Sequence, residues 1–187
     1  MSDLYEQALD VFPTLRARGL TAKRLREFGV EVTKSLQLLI PLYDPFGERC
    51  GVLIRTRYDK VKYYSEPAGA KQYLYNLFYS DGCGEVLVLF ESPFDVMATD
   101  GFQRAALLGL KLTDLAIATL EGLGCTHLIL AFDLDVPGQV NSFRIARELV
   151  EHGFCVCIYT KGLQIQDDYD FVRDYVLTLE RPAFLVV

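Results

Sequence analysis

The sequence contains no tryptophan, only two histidines and no apolar run near the roughly 20 residues that a membrane-spanning helix needs. Its first residues have neither the basic nor the apolar region of a secretion signal. The five cysteines are scattered, and only His127 and His152 could join them, so no zinc-ligand pattern is present. These absences predict a cytoplasmic globular protein that is neither secreted nor membrane-bound and keeps its thiols reduced.

Composition and length fit a folded protein with one substantial domain and an accessory region. Half of the 187 residues are hydrophobic and about a quarter are charged. The net charge of −6 is unevenly distributed: residues 1–80 carry twelve Lys/Arg against nine Asp/Glu, whereas residues 81–187 carry seven against sixteen. A nucleic-acid enzyme whose basic part meets phosphates and whose acidic part holds cations could show this split, although acidic surfaces are common in other proteins.

Residues 1–82 predict a small, mildly basic α+β subdomain. Apolar residues recur at helical spacing over 3–18, and a short basic helix is expected over 22–28. Two apolar segments, 36–43 and 50–58, are joined by turn-forming residues and predict a β-hairpin.

The return strand of this hairpin carries basic residues. Because side chains alternate along a strand, Arg55 and Arg57 lie on one face, and Lys60, Lys62 and several tyrosines follow closely. Basic and aromatic side chains together can hold phosphates and stack bases, but tyrosines near a sheet edge are also ordinary packing residues.

From residue 83 onward, strand and helix patterns alternate over the rest of the chain. Alternation at this spacing indicates βαβ units and a mainly parallel sheet flanked by helices, and therefore an α/β domain over 83–187. The strands are expected at 86–91, 105–108, 128–132 and 155–159.

Several of these strands end in carboxylates. Glu91 ends one strand with Asp95 a helical turn later, Asp133 and Asp135 follow another, and a third acidic cluster occupies 167–170. Ligands of open α/β sheets bind at the carboxyl ends of the strands, and carboxylate oxygens suit Mg²⁺. Mutual repulsion among so many acids also favours a cation between them.

Helix capping is the competing interpretation of the same acids. Asp133 or Asp135 could cap a helix that begins near Pro137, and Asp168 could cap the last helix. Three acidic strand ends in one sheet favour the metal interpretation.

The residues around these acids resemble the Toprim domain, the catalytic module shared by DnaG-type primases, type IA and type II topoisomerases and OLD-family nucleases. The details are similar to the primase branch of that superfamily. In the second half of the chain, the matching segments are 88–96, with the E-x-x-x-D spacing of Glu91 and Asp95, then 105–113, Asp133-x-Asp135-x-x-Gly138, Arg144, and Asp168 to Asp170. In the first half, the matching segments are 40–47, 51–55, 62–63 and 71–77.

The resemblance implies a primase catalytic core that synthesises short RNA primers on a single-stranded DNA template from nucleoside triphosphates. Two Mg²⁺ or Mn²⁺ ions about 4 Å apart would then bridge the reacting oxygens. Glu91, Asp133 and Asp135 would be the catalytic acids and principal metal ligands. Asp95, Asp168 and Asp170 would assist in holding metal, and Arg55, Lys62, Lys71 and Arg144 would contact nucleotide or nucleic acid.

The sequence departs from the family pattern in several places. Ser92 stands where the family usually has glycine, and there is no Cys/His cluster for a zinc ribbon. The sequence is therefore expected to be a minimal or split primase, of a phage or mobile element, or an excised core. A replicative helicase and a separate zinc-ribbon protein would be its partners. The alternatives are a Toprim nuclease of DNA or RNA and a non-catalytic Toprim module that regulates a replication complex.

Overall fold

A computed structural model describes residues 3–57, 62–109 and 111–187. The chain divides into two compact units, Met1–Lys71 (unit 1) and Gln72–Val187 (unit 2). This division lies eleven residues before the domain boundary expected after residue 82, and that boundary stays a prediction.

Unit 1 begins with three short helices: α1 (Leu4–Val11), α2 (Pro13–Ala17) and α3 (Ala22–Glu27). The helical pattern expected over 3–18 forms two helices, because Pro13 has no N–H to continue α1 and instead occupies the first position of α2. The side chain of Thr21 caps α3 by accepting a hydrogen bond from the backbone N–H of Arg24 at 3.2 Å.

The rest of unit 1 is a four-stranded antiparallel sheet. Its strands are β1 (Glu31–Val32), β2 (Leu38–Tyr43), β3 (Arg49–Arg55) and β4 (Tyr63–Glu66), in that order across the sheet. The predicted hairpin forms its centre, and Asp44 closes the turn by accepting hydrogen bonds from the N–H groups of Phe46 and Glu48. Tyr58 and Lys60, which the sequence places in and after the return strand, lie outside the described residues.

Unit 2 is built on a five-stranded sheet whose neighbouring strands are all parallel. Its strands are β5 (Val86–Phe90), β6 (Arg104–Ala106), β7 (His127–Leu130), β8 (Cys155–Ile158) and β9 (Phe184–Val186), in the order β6-β5-β7-β8-β9. All the residues of β5 and β8 are buried, as expected where helices cover both faces of a parallel sheet. The predicted α/β fold is confirmed, with β9 as a strand that the sequence did not indicate.

Four helices connect these strands: α4 (Pro93–Ala98), α5 (Asp114–Gly122), α6 (Val136–Glu151) and α7 (Ile165–Val176). Short 3₁₀ turns occupy Ala68–Gln72, Tyr79–Asp81 and Gly162–Gln164. The core of unit 2 is mostly aliphatic, and α6 contributes Ile145, Ala146 and Leu149 to it. Within the described ranges, every helix is too short or too polar to cross a bilayer.

The last strand of the sheet has an open edge. In the described part of the chain, β9 stands at the end of the strand order and pairs only with β8. Phe184 and Val186 are exposed, and the ring of Phe143 on α6 meets the Phe184 ring edge-on at 6.3 Å.

The expectation that all five cysteines are free thiols is wrong for two of them. Cys83, before β5, and Cys125, before β7, form a disulfide with their Cα atoms 5.4 Å apart. They lie 42 residues apart in the sequence, and the parallel pairing of β5 with β7 brings them together. Cys50, Cys155 and Cys157 are free.

Candidate active site

Two predicted catalytic acids meet at the carboxyl edge of the parallel sheet. Glu91 directly follows β5, and Asp133 follows β7, the strand that pairs with β5. The backbone N–H of Asp133 donates a hydrogen bond to Oε2 of Glu91 at 3.2 Å. The prediction that the strand-end acids come together therefore holds for this pair.

Asp135 belongs to the same edge but also has a structural role. Its Oδ1 accepts a hydrogen bond from the N–H of Gly138 at 2.8 Å, which makes Asp135 the N-cap of α6. The capping interpretation is thus correct for Asp135, and one of its two carboxylate oxygens is engaged in this way.

Gly138 explains the spacing of the Asp-x-Asp-x-x-Gly motif. A Cβ atom at this position would overlap the carbonyl oxygen of Asp133 and lie 3.1 Å from Oδ1 of Asp135. Only glycine allows the first turn of α6 to pack against the loop that carries both acids.

The environment of Glu91 disfavours its charged form. Burial raises the pKa of the Glu91 carboxyl above its usual value, and the negative charges of Asp133 and Asp135 raise it further. Hydrogen bonds from the Asp133 N–H and from Asn141 oppose this shift. A divalent cation would stabilise the ionised carboxylate of Glu91, because its positive charge would offset the negative charges of Glu91, Asp133 and Asp135.

Asn141 is part of the site, and the sequence did not indicate it. It lies on α6 and is only 6% exposed. Its Nδ2 donates to Oε1 of Glu91 at 3.4 Å, and its Oδ1 accepts a hydrogen bond from Nη2 of Arg144 at 2.7 Å. Asn141 follows Gly138 by three residues, so helical spacing from the capped start of α6 is the signal that could have revealed it.

Arg144, predicted to contact nucleic acid, is therefore linked to Glu91 through one intervening side chain. It also pairs with Glu148 at 3.3 Å and is partly exposed. These contacts place Arg144 beside the acids, while a role in binding nucleic acid stays a prediction.

Asp95 and Ser92 lie at the start of α4. Asp95 is only 3% exposed within the first turn of this helix. Ser92, the departure from the family glycine, caps α4 by accepting a hydrogen bond from the N–H of Phe94 at 3.2 Å. Its backbone is extended, a conformation open to any residue, so the serine fits this turn.

Asp168 and Asp170, the expected third arm of the metal site, lie on α7 and have cationic partners. Oδ2 of Asp168 accepts a hydrogen bond from Tyr159 at 2.7 Å and pairs with Lys161 at 3.2 Å. These two contacts lower the pKa of Asp168 below its usual value. Asp170 pairs with Arg173 at 2.9 Å.

The fit to a divalent cation rests on donor chemistry. In the described part of the chain, no three acidic, histidine or cysteine side chains converge closely enough to enclose a metal ion. Glu91, Asp133 and Asp135 nevertheless offer the hard oxygen donors that Mg²⁺ and Mn²⁺ prefer. Glu91 accepts hydrogen bonds from two neutral groups, the N–H of Asp133 and the amide of Asn141. These three residues could hold the cation, and the metal-ligand roles of all six predicted acids stay predictions.

Unit 1 contains a basic cavity of about 180 Å³ around Arg55. The guanidinium of Arg55 lies 4.6 Å from the ring centre of Tyr63 and 5.4 Å from that of Phe12. Its Nε and Nη1 atoms are buried and have no hydrogen-bond partner among the described residues. Buried charged donors are normally paired, so this arrangement suits an anionic ligand such as a phosphate.

The other predicted binding residues of unit 1 differ in position. Lys62 is exposed and lines the Arg55 cavity together with Arg57. Lys71 is half-buried in the 3₁₀ turn that ends unit 1 and does not line that cavity. Binding of nucleotide or nucleic acid by these residues stays a prediction.

The class of protein follows from the comparison of this site and sheet with known families. Residues 88–171, which carry Glu91 and the Asp133-x-Asp135 pair, match the family model described as Toprim-like. Unit 2 therefore contains a Toprim-like domain, as the sequence motifs indicated. No curated protein matches the sequence significantly.

Solved structures with a similar fold include DnaG-type primase cores. The zinc-binding and RNA polymerase domains of Aquifex aeolicus primase align with a TM-score of 0.69 and 16% identity, over 96% of this chain and 59% of that one. The E. coli primase catalytic core aligns with a TM-score of 0.64 and 17% identity, over 93% of this chain and 76% of that one. The primase fragment of the bacteriophage T7 primase-helicase aligns with a TM-score of 0.55 and 14% identity, over 87% of this chain and 71% of that one.

At these identities the likeness establishes the fold. The chain matches the Toprim-like model over residues 88–171, its fold is similar to that of DnaG primase catalytic cores, and it spans about three fifths of the Aquifex aeolicus chain.

Proposed function

We propose that this protein is a DnaG-type primase core, which joins ribonucleotides into short primers on single-stranded DNA. The observation that carries the proposal is the hydrogen-bonded pair of Glu91 and Asp133 at adjacent strand ends, in a fold that resembles primase cores. One of the similar structures is a DnaG catalytic domain bound to single-stranded DNA, which supports a DNA template here.

The acids of unit 2 would act through a divalent cation. When bound, this ion would neutralise phosphate charge and activate the attacking 3′-oxygen of the primer. The protein's own part is positioning: Asp133 and Asn141 orient Glu91, and Gly138 lets α6 approach the loop of Asp133 and Asp135. Little covalent chemistry is asked of the side chains in phosphoryl transfer.

The basic cavity of unit 1 would hold phosphate. Arg55 is oriented by the rings of Phe12 and Tyr63, and its unpaired N–H groups can donate to phosphate oxygens. Lys62 adds positive charge at the same cavity. A polymerase needs such contacts for nucleoside triphosphates and template, which favours the primase over the nuclease.

Partners remain part of the proposal. The matched Aquifex aeolicus structure contains a zinc-binding domain as well as the polymerase domain, and the matched phage T7 fragment belongs to a primase-helicase. We infer that a zinc-ribbon protein and a replicative helicase assist this chain. A cytoplasmic location and an origin in a phage or mobile element fit the same proposal.

The test is primer synthesis by the purified chain. Single-stranded DNA, labelled ribonucleotides and Mg²⁺ or Mn²⁺ are incubated with the protein, with and without a candidate helicase. We expect short RNA products whose yield falls at least about a hundredfold in Glu91→Gln and in Asp133→Asn. Glu85→Gln is the matched control, because Glu85 precedes the same strand β5 at its opposite end.

The other outcomes contradict the proposal in distinct ways. Degradation of the DNA, or of an added RNA, without synthesis would identify a Toprim nuclease. Absence of both activities, with or without the helicase, would favour the non-catalytic module. Equal loss in Glu85→Gln and Glu91→Gln would show that the strand-end acids have no special role.

A further inference from the structure

The disulfide of unit 2 joins two segments that strand pairing already brings together. Val86 pairs with His127 in the parallel ladder of β5 and β7. Cys83 lies three residues before the first member of this pair, and Cys125 lies two residues before the second. The register of the two strands therefore places the cysteines close to each other without any contribution from the S–S bond.

The side chain of Gln103 holds the backbone on both sides of Cys83. Its Nε2 donates a hydrogen bond to the carbonyl oxygen of Gly82 at 2.6 Å. Its Oε1 accepts a hydrogen bond from the N–H of Gly84 at 2.7 Å. These two contacts fix the segment that carries Cys83 independently of the crosslink.

The turn that carries Cys125 is held by the end of α5. The N–H of Cys125 donates to the carbonyl oxygen of Leu120 at 3.0 Å. The ring of Tyr79, upstream of β5, packs against this turn, since a Cβ atom at Gly122 would lie only 3.0 Å from that ring. Because both segments are held in this way, we expect the reduced protein to keep the two sulfur atoms within reach of each other.

The two bonded cysteines differ in their exposure to solvent. Cys83 is partly exposed, whereas Cys125 is only 5% exposed and belongs to the aliphatic core. In thiol–disulfide exchange, an incoming sulfur must reach one of the two bonded sulfurs, so the rate depends on access. A small thiol or disulfide in solution therefore meets Cys83 first.

The three free cysteines differ from this pair. Cys155 and Cys157 are buried, and burial raises the pKa of both thiols, that of Cys157 to about 12. The thiolate is the reactive form, so these two side chains are expected to be inert. Cys50 is partly exposed, and burial also raises the pKa of its thiol. Among the described cysteines, only Cys83 combines exposure with a bonded partner.

We propose that Cys83 and Cys125 form a reversible redox pair, in which Cys83 exchanges with small-molecule disulfides and Cys125 is the resolving thiol. On oxidation, the Cys83 thiolate attacks one sulfur of the small disulfide, whose S–S bond breaks and releases one thiol. The Cys125 thiolate then attacks Sγ of Cys83 and displaces the second thiol. The two cysteines together lose two electrons and two protons, which the small disulfide gains as it becomes two thiols.

Reduction follows the same steps in reverse. A small thiolate attacks Sγ of Cys83, Cys125 leaves as a thiol, and a second small thiolate frees Cys83. Unit 2 thus carries its covalent tie where small disulfides predominate and loses the tie where small thiols predominate. The proposal is independent of the primase-type function above.

Mass spectrometry with glutathione as the probe tests this assignment. Cys50→Ser is the background for every sample, because it removes the other partly exposed thiol. The reduced protein is mixed with glutathione disulfide at mildly alkaline pH and quenched with acid at successive times. We expect the protein to lose the mass of two hydrogen atoms and to retain no glutathione.

Single variants separate the two roles. Cys125→Ser should retain one glutathione, which peptide mapping locates at Cys83. Cys83→Ser should take up glutathione at least about tenfold more slowly, because its remaining thiol is buried. Circular dichroism of each variant confirms that it is folded during the reaction.

A further variant tests the contribution of the Gln103 contacts. Gln103→Ala should slow the resolving step about tenfold, so that the mixed disulfide at Cys83 becomes visible. Gln166→Ala is the matched control, because Gln166 makes the same two-sided contact with the backbone of Asp100. Equal resolving rates in these two variants would show that the contacts of Gln103 do not position Cys83.

Three results would overturn the redox pair. Retention of glutathione by the protein with both cysteines would exclude Cys125 as the resolving thiol. Equal rates of uptake in Cys83→Ser and Cys125→Ser would exclude Cys83 as the point of entry. A crosslink that survives millimolar reduced glutathione in the folded protein would identify a permanent structural disulfide. Each of these results leaves the proposed function unchanged, because the exchange involves none of the strand-end acids.

Discussion

Gly138 packs against the carbonyl group of Asp133 with no room for even a methyl group between them. Gly138→Ala must therefore displace the loop that carries Asp133 and Asp135. We expect a loss of about 1–3 kcal/mol in the free energy of unfolding, as for other overpacked sites, and Mn²⁺ affinity reduced at least about tenfold. Urea denaturation and Mn²⁺ titration measure the two effects.

Gly109→Ala is the matched control, because a Cβ atom at Gly109 would meet open space. If Gly138→Ala bound Mn²⁺ as tightly as Gly109→Ala, the loop of Asp133 would not depend on this contact.

Asn141 links Glu91 to Arg144, and its loss should loosen the acid that it orients. We expect Asn141→Ala to weaken Mn²⁺ binding by about 10–100-fold, as is usual for residues that position a metal ligand. Ser142→Ala is the control: Ser142 is buried beside it on α6 but donates to the Gly138 carbonyl instead. Similar affinities for the two variants would rule out a positioning role for Asn141.

The raised pKa of Glu91 makes the metal-free protein sensitive to pH. The folded state holds this proton more tightly than the unfolded state, so the free energy of unfolding falls as pH rises from the usual carboxyl range through the raised pKa. Glu91→Gln should remove this fall and slightly stabilise the metal-free protein at neutral pH. The gain is small because Glu91 is only partly buried and water screens the repulsion.

Urea denaturation at several pH values, in the presence of a chelator, measures this difference. The advantage of Glu91→Gln over wild type should grow with pH and disappear in acid, whereas Glu85→Gln should show no such trend. A constant advantage at every pH would argue against Glu91 as its source.

The Cys83–Cys125 disulfide closes a loop across 42 residues of unit 2. In the chain-entropy description, a loop of this length stabilises the folded state by about 4 kcal/mol. A reducing agent should therefore lower the urea midpoint of the wild-type protein and leave that of Cys83→Ser unchanged. Cys50→Ser, which removes a free thiol, should respond to the reductant as wild type does. Equal midpoints with and without reductant would show that the crosslink contributes nothing.

The Nε and Nη1 atoms of Arg55 are buried without hydrogen-bond partners, so the cavity around Arg55 is expected to bind a phosphate group. We expect Arg55→Met to weaken binding of single-stranded DNA about tenfold and to lower the slope of log affinity against log salt by about 0.7. Fluorescence anisotropy at several salt concentrations measures both. Arg49→Met removes an exposed arginine from the same strand, and an equal effect there would indicate only general charge attraction.

The sequence was most informative where hydrophobic runs end in acids. The runs before Glu91 and Asp133 are continuous and apolar, so their strands could be predicted, and the parallel arrangement then required their ends to meet. β1 and β9 were not predicted because two or three residues are too few for a periodic pattern.

Long-range partners were much harder to predict. Asn141, Tyr159 and Lys161 have no motif of their own, and their roles arise from contacts that only the folded chain makes. The pairing of Cys83 with Cys125 is similar, because it depends on the alignment of β5 with β7. Sequence separation alone does not determine such pairs.

The open edge of β9 is expected to affect how the protein behaves at high concentration. An edge strand without a lysine, a proline or a bulge inside it can accept another strand from a neighbouring molecule. The exposed Phe184, Val186 and Phe143 add an apolar surface beside that edge. Colloidal stability of the purified chain is therefore expected to depend in part on this edge of the sheet, although β9 is only three residues long.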